Sequence, residues 1–199
     1  MIKTIIFDLG DVYVSVDGPL QLSRKYNLPV DEVEKAVEEE YMKCATSKEK
    51  SRQFWIWFKD KFKIDDSVEN IRKVMVQSIS LIKGTFELVK KLKKNGYKVL
   101  FLSNSHIDTT PQHKKQYKFH KQFDGGLFSH EHEFFKPDKR FYEQLLRETK
   151  SEPEECVYID DREANLKPAK ELGMKVILFR NPEQLNEELE KLGVKHESV

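Results

Sequence analysis

Residues Cys156–Phe179 read CVYIDDREANLKPAKELGMKVILF. Two short apolar runs, Cys156–Asp160 and Lys175–Phe179, flank a helical pattern, and the first run ends on adjacent carboxylates. Strand, helix, strand is the unit from which parallel sheets are built, because parallel neighbours need a long crossover between them. Further strand-like runs lie upstream at Thr4–Asp8 (TIIFD), Lys98–Ser103 (KVLFLS) and Gly126–Ser129 (GLFS). The alternation predicts an α/β fold, a Rossmann-like doubly wound parallel sheet. Three of the runs end in a polar residue: Asp8, Ser103 and Asp160. Open α/β sheets bind ligands at the carboxyl ends of their strands, so these ends form the candidate site.

The first and second runs are separated by an unusually long stretch. Thr85–Lys94 supplies the crossover helix and stops at Asn95-Gly96. Residues 15–82 are left as a helical insert, a cap, with residues 1–14 and 83–199 as the core. Asp31-Glu32-Val33-Glu34 and Asp66-Ser67-Val68-Glu69 resemble capping boxes that open helices in the insert. Phe54, Trp55, Trp57, Phe58 and Phe62 recur at helical spacing, which favours a packed helical core over a substrate-facing wall. NPEQLNEELEKLG reads as a last surface helix before a frayed tail.

Charge narrows the choice of partners. Thirty-five Lys and Arg nearly balance 34 Asp and Glu, and a net charge of +1 gives no global attraction to nucleic acid or an anionic membrane. Cys44 and Cys156 lack metal-type spacing and fit free thiols, with one remote disulfide as the alternative. No run reaches the roughly 20 apolar residues that span a bilayer, and MIKTIIFDLG is too short in its apolar part for a signal peptide. A cytoplasmic monomer or weak homodimer is expected. His130 and His132 in SHEHEFF give two metal donors where zinc needs three or four, so they read as loop residues. Lys114, Lys115, Lys118 and Lys121, in PQHKKQYKFHKQF, read as a solvated basic face.

Taken singly, the polar strand ends have ordinary readings. Asp8 caps a turn, Ser103 and Asn104 make one, and Lys136, just before a helix begun by Pro137, is solvated. Adjacent Asp160 and Asp161 call for a cation between or near them, and Mg²⁺ takes such oxygens. Together the order changes the reading. An Asp after strand one, Ser after strand two (LSNS), Lys before a helix (KPDKRFYEQLL) and an acidic pair after a later strand resembles the haloacid dehalogenase superfamily. The likeness covers essentially the whole chain, including the inserted cap. CVYIDDREANLKPAKELGMKVILF is similar to the phosphatase domain of soluble epoxide hydrolases and to sugar-phosphate phosphatases of that subgroup.

The resemblance implies an Mg²⁺-dependent phosphatase acting on a small phosphorylated metabolite through an aspartyl-phosphate. Asp8 would be the nucleophile. Asp8, Asp161, nearby Asp160 and the Gly10 carbonyl would hold Mg²⁺. Ser103, Asn104 and Lys136 would bind the phosphoryl oxygens, and Asn165 would steady the acidic loop. The chain departs from the family's usual Asp-x-Asp, where the second Asp serves as general acid: here Gly10 stands at that position. General acid help is worth about 10²–10⁴-fold. Three readings stay open: a phosphatase for a substrate with a good leaving group, a 2-haloacid dehalogenase, and a catalytically weak binding protein. Asp11 is a candidate stand-in for the acid. Arg24, Arg52 and Arg72 are the cap arginines a dehalogenase would use for a carboxylate.

Overall fold

Thr4, Ile5, Ile6 and Phe7 are all buried, as a strand in the middle of a parallel sheet must be when both faces are covered. The computed structural model describes residues 1–195, without the side chains of Gln112, Phe119 and His120. Its first half runs β1 (Thr4–Phe7), β2 (Val14–Val16), α1 (Gly18–Tyr26), α2 (Val30–Ala36), α3 (Lys48–Lys61), α4 (Val68–Gln77) and β3 (Ile79–Leu81). Then come α5 (Lys83–Lys94), β4 (Lys98–Ser103), α6 (Thr110–Tyr117), α7 (Phe119–Gln122) and β5 (Gly125–Phe128). The last part holds α8 (Lys139–Thr149), β6 (Cys156–Asp160), α9 (Glu163–Glu171), β7 (Lys175–Leu178) and α10 (Pro182–Lys191).

The chain divides into two units, one of Met1–Ser15, Leu81–Asn104 and the residues from Lys118 onward, the other of Val16–Ser80 with Ser105–Tyr117. The first unit is the α/β unit. Its sheet has the order β5-β4-β1-β6-β7, all parallel. Phe7 pairs with Phe101 on one side and Ile159 on the other, and the Asp8 N–H donates to the Ile159 carbonyl at 2.8 Å. That register sets the ends of β1, β4 and β6 side by side. Ile6, Leu100, Leu102 and Tyr158 face Phe141, Tyr142 and Leu145 of α8 and Ala169 of α9. On the other face Phe7 and Phe101 meet Phe123 edge-on, and Tyr13 packs on Phe86 of α5. Gly126 lies against the Phe101 ring, where a Cβ would come within 2.4 Å, so no larger residue fits on this strand.

The second unit is mostly helical. Leu22, Val33, Tyr41, Phe54, Trp55, Phe58 and Ile71 form its core. The aromatic stripe of α3 is thus packing for Phe54, Trp55 and Phe58, while Trp57 is 40% exposed. Ser105–Tyr117, which the sequence reading left in the core, joins this unit through buried polar contacts. The Asp108 carboxylate accepts from the Ser51 hydroxyl and from Trp55 Nε1, with Arg72 3.7 Å away. His106 stacks on Tyr41 with ring centres 3.7 Å apart.

Several local expectations need correction. The insert is not helix throughout: β2 and β3 pair as a two-stranded sheet at its ends. Pro29, not Asp31, precedes α2, and Asp31 falls in the first turn. Ser67, not Asp66, caps α4 by accepting from the Asn70 N–H. Pro137 lies outside α8, whose cap is Asp138. In each case several capping residues stood close together, and spacing alone does not choose among them. Cys44 and Cys156 are free thiols, which removes the remote disulfide. No helix among the described residues is long and apolar enough to cross a membrane. The tail beyond Lys195 lies outside the described residues.

Candidate active site

Asp8 follows the last residue of β1, Asp160 ends β6 and Ser103 ends β4, so the parallel register gathers them at one edge of the sheet. Lys136 comes from the loop before α8 and is 3% exposed. A lysine buried so deeply needs anionic partners. Its ammonium lies 2.8 Å from Asp8 Oδ2 and 2.8 Å from Asp160 Oδ2, bridging the two carboxylates. The predicted solvated lysine is therefore the inward-pointing cation that the family resemblance required.

Asn104 holds that lysine by its backbone. Its side-chain amide donates to the Lys136 carbonyl at 2.9 Å, and its Oδ1 accepts from the Lys136 N–H at 2.8 Å. The Asn104 side chain thus holds the Lys136 backbone in place. The Ser103 hydroxyl is buried and contacts the Asn104 carbonyl at 3.3 Å.

Asp160 is 0% exposed and each of its oxygens takes two donors. Oδ1 accepts from the Arg162 N–H at 3.0 Å and from Asn165 Nδ2 at 2.9 Å. Oδ2 accepts from Lys136 and from the Tyr158 hydroxyl. Asn165 thus reaches Asp160 from the first turn of α9. Tyr158 and the Arg162 amide escaped the sequence reading. The signal for Tyr158 was available, since residues two apart on a strand share a face.

The electrostatics follow from burial and from this pairing. Burial pushes the Asp8 carboxyl up to about 7, against the pull of Lys136 and with help from the Asp160 charge. Burial would lift Asp160 too, but Lys136 and the Tyr158 and Asn165 donors outweigh it and hold that carboxyl below its ordinary value. Asp161, half-buried, is raised by burial and then by Asp160. Burial opposes the Lys136 charge, yet Asp8 and Asp160 outweigh it and raise the lysine.

One oxygen each from Asp8, Asp160 and Asp161 lie within 4.8 Å of one another, the one such group among the described residues. Three carboxylates against one ammonium leave two negative charges when all are ionised. Hard oxygen donors with that excess suit a divalent cation such as Mg²⁺. Asp160 spends its acceptors on other donors, so Asp8 and Asp161 are the better placed pair. Among the described residues, His130 and His132 join no such group.

Gly10 lies in a tight loop, where the Asp11 N–H donates to the Val14 carbonyl at 2.6 Å and Asp11 takes a left-handed φ of 52°. Asp11 is exposed and close enough for its charge to act on Asp161.

Comparison with known proteins places these residues in a wider setting. The chain is 34% identical over 105 residues to bifunctional epoxide hydrolase 2 of Sus scrofa, a match covering 51% of this chain and 19% of that protein. The chain thus spans a small part of the length of such curated relatives. Among solved structures it matches a haloacid dehalogenase-family enzyme of Bacteroides thetaiotaomicron, solved with magnesium and inorganic phosphate. The TM-score is 0.73 at 20% identity, over 91% of this chain and 96% of that one. A dehalogenase solved as an intermediate complex matches with a TM-score of 0.72 at 15% identity, over 88% and 83%. Such likenesses concern the fold, which phosphatases and dehalogenases of this kind share. The sequence model of haloacid dehalogenase-like hydrolases matches residues 5–179, from the first strand through the acidic pair to the end of β7, and the chain belongs to that family.

Proposed function

We propose that the protein hydrolyses a small phosphomonoester, a sugar phosphate being the favoured class, through an aspartyl-phosphate on Asp8. The observation that carries this reading is the buried Lys136 held between Asp8 and Asp160, next to Asp161. An anionic nucleophile cannot approach a phosphate dianion unless its charge is offset, and phosphoryl transfer is catalysed mainly by positioning and electrostatics. A bound Mg²⁺, held by Asp8, Asp161 and the Gly10 carbonyl, would supply further charge neutralisation. Asp8 forms a bond to phosphorus while the bond to the leaving oxygen breaks, and that oxygen takes a proton from solvent water. Water then adds to phosphorus, releasing phosphate and restoring Asp8. Lys136 and the Ser103 hydroxyl offer donors to the equatorial oxygens, and Asn104 keeps Lys136 aimed.

Gly10 supplies no general acid, so the reading favours esters whose leaving group departs with little protonation, such as sugar 1-phosphates. A dehalogenase breaks a carbon–halogen bond without a metal, which would leave the excess charge of the acidic group unused. The deciding measurement is hydrolysis of p-nitrophenyl phosphate with Mg²⁺ and with chelator, beside turnover of 2-chloropropionate. Ester hydrolysis lost with chelator supports the phosphatase. Halide release without metal overturns it in favour of the dehalogenase, and inertness toward both favours the binding protein.

Cation affinity should depend on pH in a defined direction. Asp8, raised to about 7, and Asp161, also raised, must lose their protons to take a metal. Calorimetry should therefore find Mg²⁺ affinity weaker by about tenfold at pH 6 than at pH 8, with proton release on binding. An affinity flat across that range would put the metal elsewhere.

A further inference from the structure

We propose that Tyr158 is a positioning residue of this site, its hydroxyl fixing the Asp160 carboxylate in the rotation that presents Oδ2 to Lys136. The proposal deepens the phosphatase reading and rests on it. Tyr158 and Asp160 stand two residues apart on β6, so both side chains leave the same face of the strand. The phenol donates to Asp160 Oδ2, the oxygen that also binds Lys136. Lys136 Nζ lies 6.0 Å from the centre of the Tyr158 ring, so the side chain that binds Asp160 also lies near the cation paired with it. The ring is itself fixed, fully buried and edge-on to Tyr142 at 5.3 Å.

The other donors do not substitute for it. Asn165 and the Arg162 N–H both bind Oδ1. Without the phenol, Oδ2 is held by Lys136 alone, and that end of the carboxylate turns with the ammonium. Lys136 then loses its fixed aim at the phosphoryl oxygens, where charge builds up in the transition state. An interaction that matters most there changes kcat more than ground-state binding.

Tyr158→Phe keeps the ring and its packing and removes only the hydroxyl. Charge-assisted hydrogen bonds are the stronger class, so kcat for p-nitrophenyl phosphate should fall about tenfold with KM within about twofold. In Mg²⁺ buffer, affinity for orthovanadate, which mimics the pentacoordinate transition state, should weaken by the same factor. Affinity for inorganic phosphate should change by less than about twofold. A purely structural tyrosine would lower Tm and leave both kcat and the vanadate-to-phosphate ratio untouched, and that result overturns the proposal. A wild type that neither cleaves the ester nor binds vanadate overturns the phosphatase reading, and this proposal with it. An active wild type matched by Tyr158→Phe overturns this proposal alone.

Discussion

Asp8→Asn is expected to reduce p-nitrophenyl phosphate turnover by at least roughly 10³-fold, because an amide cannot form the proposed aspartyl-phosphate. The loss should be in kcat and should persist at any Mg²⁺ concentration. The fold should survive. Asparagine is nearly isosteric, can still accept from the Leu9 N–H that Asp8 binds at 2.6 Å, and leaves Lys136 its pairing with Asp160. It also removes a carboxylate whose burial pushes its pKa up to about 7, a group that is costly to keep ionised. Thermal unfolding of the variant should stay within a few degrees of the wild type. Turnover above about a tenth of wild type would assign the nucleophile to another residue.

Lys136→Met should be the more damaging change, to stability as well as activity. Removing one member of a buried ion pair leaves the rest uncompensated, at a cost of about 3–5 kcal/mol. Two carboxylates, Asp8 and Asp160, lose their cation here. In a chain of this length roughly 2–4 °C accompanies each kcal/mol, so Tm should drop by roughly 6–20 °C. The loss should depend on pH. Without the ammonium, the Asp8 carboxyl rises further above its unfolded value, so the native state binds a proton that the unfolded chain does not. The variant therefore gains stability as pH falls through a window that opens above 7, where wild-type Asp8 is still ionised and gains none. The Tm gap between Lys136→Met and wild type should be wider at pH 8 than at pH 5. An equal gap at both would mean that Lys136 acts by packing alone.

The parallel sheet was readable from the sequence because its strands are continuous apolar runs ended by polar residues. β4 and β6 match their expected bounds, and β1 and β7 each stop one residue early. Asp8, Ser103 and Asp160 could be grouped because strand ends in such a sheet share an edge. The two short strands bordering the insert could not be read, since three residues such as Val14–Val16 carry no period. The Asn104 clamp on Lys136 was also hidden. It joins two loops by backbone groups, which residue type does not announce. The division of labour between Asp160 and Asp161 depends on which carboxylate meets four donors, and adjacent identical residues look alike in a sequence. Ser105–Tyr117 carries His106 and Asp108, whose partners Tyr41, Ser51, Trp55 and Arg72 lie far upstream. Only the folded chain brings them together.

The order of the sheet has a consequence for synthesis. Thr4 pairs with Lys98 on one side and with Cys156 on the other, so the first strand to be made becomes the centre of the sheet. It cannot be flanked on both sides until β6 has left the ribosome. Such non-local pairing raises contact order and slows folding. A nascent or truncated chain lacking β6 would display an unpaired apolar edge of the kind that invites aggregation. The same strand delivers Asp160, the second partner of Lys136. A chain lacking β6 therefore also lacks half of the carboxylate pair that holds Lys136 in place.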